Sequence, residues 1–410
     1  MRLEIYFKEQ LATFVDGHLS SVVSQKQMRI GFFTDTYFPV NFGTEIAIDT
    51  FRRKLEELGE EVFIFAPKFP HCKDQSEKIF RFPSIKVQKS PEARLFFFGS
   101  GTVSKIAALK LDICHSHTPF TAGWLAKAVA RRLGVPVINQ YHILYPEYAK
   151  TWLWRNNQIA TTVLTAYTRF FLNQQTTVIA PSPKIKKLLE NYGVRRPIYI
   201  LPTGLDLQRF KSAKKNPAWA EKYGIKAEDD ILIYVGRQTP EKNVLFLVEA
   251  FEMVAVEKPR IKLMLVGEGP LKPEIEKIAQ KRNFADRLIF TGRISREEII
   301  QAYLFSKIFL FASKTDTQGL VIIEAAAMGL PIVAIKDEAY VGMLENNQNG
   351  YTISEEKPEV FARAILKILN NSGLYRQFSD NSRKIAENFS DIKQAKKLIE
   401  IYKTLKSEKF

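Results

Sequence analysis

Two carboxylates, Asp316 and Glu324, flank a turn in the stretch TDTQGLVIIEAAAMGLP, Thr315 to Pro331. The apolar residues before it, Ile308 to Ala312, read as a strand, Thr315 to Gly319 as a polar turn, and Val321 to Met328 as a buried Ala-rich helix stopped by Gly329 and Pro331. A helix start offers unpartnered N–H groups and the positive end of a dipole, a setting suited to phosphate. Gly319, Leu320 and Val321 would supply those groups, with Gly319 letting the backbone approach closely. Asp316 then lies just outside the helix and Glu324 within it, so the two acids bracket a ligand and do not pair with each other. Upstream, in YVGRQTPEKN, Arg237 follows a strand end at Gly236 and Lys242 comes five residues later, which lets both cations reach one point. Fixed cations there would stabilise the charge that gathers on a leaving diphosphate. In CHSHTPFTAG, His115 and His117 share one face of a strand end, with Ser116 opposite. No carboxylate or third histidine stands at ligand spacing beside them, so no metal is expected. Gly43, in DTYFPVNFG, precedes a helix over Thr44 to Leu58 and offers another backbone approach to phosphate or sugar.

The elements that must position these groups alternate strand and helix. From Met28 onward, Arg29 to Phe33, Glu61 to Ala66, Ile113 to Ser116, Val135 to Gln140, Val178 to Ala180 and Ile198 to Leu201 read as strands, with helices such as Ala122 to Leu133 between. A second series follows: Ile231 to Val235, Lys262 to Val266, Arg287 to Phe290, Ile308 to Ala312 and Ile332 to Ile335. This rhythm predicts two α/β domains with parallel, doubly wound, Rossmann-like sheets facing a cleft. Ligands of such sheets bind beyond the carboxyl ends of the strands, which is where every group above falls. The expected divisions are residues 1–27 as an extension of unknown role, 28–205 as the first domain, 206–228 as a linker, 229–392 as the second domain, and 393–410 as a terminal helix. The extension lacks the basic and apolar regions of a secretory signal.

The 410 residues suffice for two cores, and no apolar run is long enough to span a bilayer. Cys72 and Cys114 stand in unlike contexts with no CxxC, which indicates neither a disulfide framework nor a zinc site. The net charge of +16 is unevenly spread: residues 28–213 hold 26 basic against 14 acidic side chains, residues 214–410 hold 31 against 27. A one-signed field on the first domain attracts an anionic surface, either nucleic acid or anionic lipid. No RNA-binding signature or repeated aromatic platform accompanies it. Trp152, Trp154, Arg155 and Arg169 mix aromatic and basic character after residue 150, and Arg94 and Lys105 flank the apolar cluster in ARLFFFGSG. Such mixtures suit a membrane interface, and each also suits a buried core.

The acid motif resembles the nucleotide-binding signature of retaining GT-B glycosyltransferases whose mark is Glu, seven residues, Glu, with Asp316 in the first place. The resemblance implies that Asp316 contacts the transferred sugar and Glu324 the ribose, and that the Gly236–Arg237 and Lys242 element binds the donor diphosphate. It also makes Gly269 in VGEGP and Arg293 in FTGRIS secondary nucleotide contacts, and His117 a contact to the transferred sugar with His115 structural. TQGL, with Gln318, looks like the diacylglycerol glucosyltransferases of this family, and QYHILYPEYAK is similar to their YHTLYPEY string, which would put His142, Tyr145 and Tyr148 around the acceptor. Phe42 and Thr44 depart from the small residues usual around Gly43. The resemblance implies a hexosyltransferase taking glucose from UDP-glucose to diacylglycerol at the inner face of the cell membrane. A nucleotide sugar serves as donor substrate and no cofactor is needed; the partners are a lipid acceptor and an anionic membrane surface. Phosphatidylinositol or a soluble sugar is the alternative acceptor. No pair of carboxylates brackets the sugar as a double-displacement glycosidase requires. The first domain would then face acceptor and membrane, the second would hold the nucleotide sugar, and the last helix would cross back to the first.

Overall fold

A computed structural model of the chain describes residues 27–40, 43–70, 72, 74, 76–87, 90–99, 101–146 and 158–408. Two parallel sheets organise it. The first has seven strands in the order β3-β2-β1-β6-β7-β8-β9: β1 Arg29–Phe33, β2 Glu61–Pro67, β3 Ile79–Phe82, β6 Ile113–Ser116, β7 Val137–Gln140, β8 Thr177–Ala180 and β9 Ile198–Ile200. The second has six in the order β12-β11-β10-β13-β14-β15: β10 Asp230–Val235, β11 Ile261–Val266, β12 Leu288–Gly292, β13 Ile308–Phe311, β14 Ile332–Ile335 and β15 Gly350–Ile353. A separate antiparallel hairpin joins β4 Ser84–Val87 to β5 Ser90–Phe96. Helices cover both faces of a parallel sheet, so its strands read as unbroken apolar runs, as in IVAI of β14, where every residue is buried.

Strand order reverses direction beside β1 in the first sheet and beside β10 in the second. At such switch points neighbouring connections leave in opposite directions and open a crevice. The crevice of the first sheet therefore lies beyond β1 and β6, and that of the second beyond β10 and β13. Asp35 and His117 follow the former pair, Arg237 and Asp316 the latter.

The chain passes between the sheets twice. Leu205 pairs with Ser390 in a parallel bridge, with the Leu205 N–H donating to Phe389 O (2.8 Å) and the Asp391 N–H to Leu205 O (3.0 Å). The helix Asp391–Ser407 then lies on the helix Gly43–Glu57, and its Leu398, Ile399, Tyr402 and Leu405 join the core beneath β1.

Candidate active site

In the second sheet the loop that carries Asp316 leaves β13 and turns at Gly319, whose φ of 75° lies in the left-handed region that suits glycine. The helix Leu320–Ala327 follows with no side-chain cap, leaving the first-turn N–H groups of Leu320 and Val321 to a ligand or water. Ile322, Ile323, Ala325 and Ala326 bury the inner face and fix the direction of the helix start.

Lys242 ends a short 3-10 turn, Pro240–Lys242, and its Nζ lies 2.9 Å from Asp316 Oδ2, both side chains being largely shielded. Arg237 points outward, 57% exposed, and meets Glu241 at 3.2 Å. An exposed pair of this kind is worth about 0–1 kcal/mol, so a diphosphate can take Arg237 from Glu241 at little cost. Glu324 accepts a hydrogen bond from the buried Tyr303 hydroxyl at 3.1 Å. Burial raises the Glu324 carboxyl above its ordinary range, opposed by the Arg296 cation and the Tyr303 bond.

Gln318, which the motif offers as a further donor contact, stands just before Gly319. It is buried, its amide oxygen accepts from the Thr203 N–H (2.8 Å) and its amide nitrogen donates to Thr203 O (2.9 Å). Both ends of the amide are thereby committed to the passage between the sheets. Two more groups from the first domain hold the same loop: Ser182 Oγ donates to Thr317 O at 2.6 Å, and Lys184 Nζ donates to Lys314 O and to Asp337 Oδ2, each at 2.6 Å. The loop that carries Asp316 is thus positioned largely from outside its own sheet. Sequence reading missed Ser182 and Lys184, and only the PSP start of the helix Pro183–Asn191 marked that segment at all.

Gly269 and Arg293 line the neighbouring turns. A Cβ on Gly269 would sit 2.1 Å from Gln238 O, so the backbone of the VGEGP turn presses directly on the turn bearing Arg237. Arg293 is exposed, and its N–H donates to Glu268 Oε1 at 3.3 Å. Gly43 begins the helix Gly43–Glu57 with open space where a Cβ would stand.

In the first sheet three imidazoles stack. The His115 and His117 centroids are 4.4 Å apart and those of His117 and His142 5.3 Å apart, with His117 Nδ1 at 3.1 Å from His142 Nε2. His115 Nδ1 lies 2.6 Å from the Tyr402 hydroxyl, which ties the C-terminal helix to β6. The buried Nε2 of His117 has no hydrogen-bond partner among the described residues. Burial drives all three toward the neutral form: His115 falls to about 3, His142 to about 4, and His117 well below its ordinary value, with mutual repulsion adding at His115 and His117. Asp35, just past β1, is the opposite case. It is buried, accepts from Thr118 Oγ1 at 2.6 Å and from the Ala122 N–H at 3.1 Å, and burial pushes its carboxyl up to about 7. Sequence reading missed it too; a lone Asp directly after an apolar strand was the available signal.

These shifts have a definite pH signature. Below about 6.5 the unfolded chain protonates each histidine while the folded chain does not, so stability falls as pH falls toward 4; Asp35 acts in the opposite sense over about 4 to 7. With three histidines against one Asp, acid destabilises this set of groups. His142→Asn is expected to make the fall in unfolding temperature between pH 6.5 and 4 shallower than in the parent, as differential scanning calorimetry can read. An unchanged slope would refute the neutral assignment.

Tyr145 packs edge-on against Phe120 (5.1 Å) and Tyr141 (6.0 Å), close to His142. Tyr148, Trp152, Trp154 and Arg155 lie outside the described residues. Arg94 donates to Ser84 Oγ (2.8 Å) and Ser84 O (3.1 Å) and covers Phe69, which locks the hairpin. Lys105 is exposed, and Arg169 is exposed on the helix Gln158–Leu172. The structure thus spreads the described membrane candidates over three separate elements. Among the described residues no helix is long and apolar enough to cross a membrane.

A sequence model of Glycosyltransferase Family 4 matches residues 43–209, and one of Glycosyl transferases group 1 matches residues 215–385. Alpha-monoglucosyldiacylglycerol synthase of Streptococcus pneumoniae is 34% identical over 313 residues, covering 75% of this chain and 71% of the relative. The Acholeplasma laidlawii protein of the same name is 29% identical over 368 residues, covering 87% and 92%. Among solved structures, Anabaena HepE in complex with UDP and glucose superposes with a TM-score of 0.70 at 18% identity, over 92% of this chain and all of that one. Sucrose-phosphate synthase of Thermosynechococcus elongatus superposes with a TM-score of 0.69 at 19% identity, over 93% and all of that chain. The crevices beyond β1/β6 and β10/β13, and the sequence matches that span both, establish that the chain belongs to the GT-B glycosyltransferases, a family 4 domain followed by a group 1 domain.

Proposed function

We propose that this glycosyltransferase moves glucose from UDP-glucose to diacylglycerol, with retention at the anomeric carbon, from the cytoplasmic side of an anionic membrane surface. The 34% identity to a protein named for an alpha-linked glucosyldiacylglycerol carries the acceptor and the sugar. The alpha linkage in that name, set beside an alpha-linked donor, supports retention. In this reading the diphosphate rests on the Leu320 and Val321 N–H groups, with Glu324 on the ribose and Asp316 on the sugar hydroxyls. Lys242 and Arg237 take up the charge that gathers on the phosphate as its bond to the anomeric carbon breaks. The lipid hydroxyl attacks that carbon from the face the phosphate leaves, and its proton passes to the departing phosphate oxygen. Neutral His117 offers the sugar a hydrogen bond through its unpartnered Nε2. Closure of the two domains excludes water and protects the activated donor from hydrolysis.

The test is transfer from labelled UDP-glucose in mixed micelles of detergent and anionic lipid, with diacylglycerol, phosphatidylinositol or no acceptor. An alpha-linked glucolipid formed only with diacylglycerol is the expected result. Donor hydrolysis without labelled lipid would remove the acceptor assignment, and absence of nucleotide-sugar binding would remove the roles of Asp316, Glu324 and Lys242.

A further inference from the structure

Glu324 stands on the second turn of the helix Leu320–Ala327, and a free glutamate side chain swings about several bonds. Among the described residues its carboxylate has one hydrogen-bond partner, the Tyr303 hydroxyl, at 3.1 Å from Oε2. Oε1 carries no such bond, and Glu324 is only half-buried, so the side chain is held at one oxygen and open at the other. Tyr303 is the opposite case. It is fully buried on the inward face of the helix Arg296–Leu304, beside Ile300, and its ring centroid lies 6.1 Å from that of Phe309 in β13. A ligand in the crevice therefore meets Glu324 and not Tyr303.

A buried tyrosine hydroxyl needs an acceptor, and this one has two. Besides Glu324 it lies 3.3 Å from Val321 O, so its single proton stands between the carboxylate and a carbonyl one helical turn earlier. Both acceptors belong to the short stretch of helix assigned above to the donor, with the Val321 N–H on the diphosphate and Glu324 on the ribose. One hydroxyl thus ties those two groups to each other.

The helix that carries Tyr303 is itself fixed in place. Ser295 Oγ accepts from the Glu298 N–H (3.2 Å) and Glu298 Oε2 from the Ser295 N–H (3.1 Å), a reciprocal cap that sets where the helix begins. Arg296 precedes Tyr303 by about two turns and shares its face of the helix. Burial raises the Glu324 carboxyl, and the Arg296 charge, the Tyr303 bond and the Arg209 charge oppose that rise. All three favour the ionised form, which can only accept hydrogen bonds. A ribose presents two adjacent hydroxyls as donors to such a group, and a sugar without them presents none.

We infer that Tyr303 is a positioning residue for ribose recognition: by pinning Glu324 Oε2 it aims Oε1 at the ribose hydroxyls, and so makes the enzyme select ribonucleotide over deoxyribonucleotide donors. This rests on the reading that Glu324 meets the ribose. Tyr303 acts only through Glu324, so its effect must appear as a loss of selectivity between sugars and not as a uniform loss of binding. The test is titration calorimetry of the full chain with UDP and with 2′,3′-dideoxy-UDP, in the parent and in Tyr303→Phe, which removes one oxygen from a buried ring. The parent should bind UDP at least about tenfold more tightly than the dideoxy nucleotide, because missing hydroxyls leave a shielded carboxylate without its donors. In Tyr303→Phe the affinity for UDP should fall about tenfold, the usual weight of one hydrogen bond to a charged group, while that for the dideoxy nucleotide stays within about twofold. Made in a Glu324→Ala chain, the same change should add no further loss, since the group it positions is gone. A Tyr303→Phe chain that discriminates as strongly as the parent would overturn the inference and leave Glu324 on the ribose. So would an equal loss for both nucleotides, which is what a loosened core alone produces. A parent chain that binds the two alike, or binds neither, removes Glu324 from the ribose and the role of Tyr303 with it.

Discussion

Lys242→Ala is expected to lower kcat for glucose transfer by about 10²–10³, the usual loss when one preorganised group facing developing charge is removed. The argument lies in its environment. Lys242 is shielded and aimed by a 2.9 Å contact with Asp316. A cation held in place before reaction spends little energy on reorganisation as the phosphate departs. Arg237 is exposed and bound to Glu241, so it must turn before it can help, and Arg237→Ala should cost less than Lys242→Ala although still a large factor. Because Lys242 and Asp316 are in contact, their losses will not add. Lys242→Ala strands a shielded carboxylate, and the double variant Lys242→Ala/Asp316→Asn should lose less than the sum of the single changes. Steady-state kinetics with UDP-glucose, together with the unfolding temperature of each variant, provide the measurement. Wild-type kcat in Lys242→Ala at unchanged stability would remove the lysine from the reaction.

The same residues mark what a linear reading captures. Strands β1, β6 and β14 were legible to the residue because buried parallel strands are short, continuous apolar runs bounded by polar turns. The Lys242 and Asp316 motifs were legible because each lies within one turn after one strand. Strands β3, β4, β5 and β15 were not: IFRF, SIKV, SPEARLF and GYTI are too short or too mixed to carry a period, and their strand state comes from edge and hairpin pairing. Gln318 shows a subtler limit. Its position in the motif was visible, yet its amide is taken by Thr203, 115 residues away. Lys184 has the same limit, since its partners lie 130 and 153 residues downstream and no local pattern encodes them. Asp35 was hidden because burial makes its chemistry, and burial is a property of the assembled sheet.

Gly269→Ala, set beside Gly43→Ala, separates packing from ligand access at the two glycine turns assigned to the donor. At Gly269 an added methyl carbon would lie 2.1 Å from Gln238 O, 2.4 Å from its carbonyl carbon and 2.6 Å from its nitrogen. All three are backbone atoms, and that backbone is fixed: the Gln238 N–H donates to Glu268 O (2.9 Å), the Leu271 N–H to Gln238 O (3.1 Å), and the Gln238 side chain to Gly267 O (2.9 Å). No rotamer change can make room, so the turns must separate and carry the adjoining Arg237 with them. Overpacking of this kind costs about 2 kcal/mol, or about 4–8 °C in Tm for a domain of this size, and donor affinity should fall with it. At Gly43 nothing lies within 4 Å of the added carbon, so Gly43→Ala should leave Tm unchanged. Any rise in KM for UDP-glucose in that variant must then come from a methyl group meeting the ligand itself. Calorimetry and donor titration of the two variants decide both points. Equal Tm values would show that the Gly269 turn yields, and an unaltered KM in Gly43→Ala would take the first domain's glycine out of the donor site.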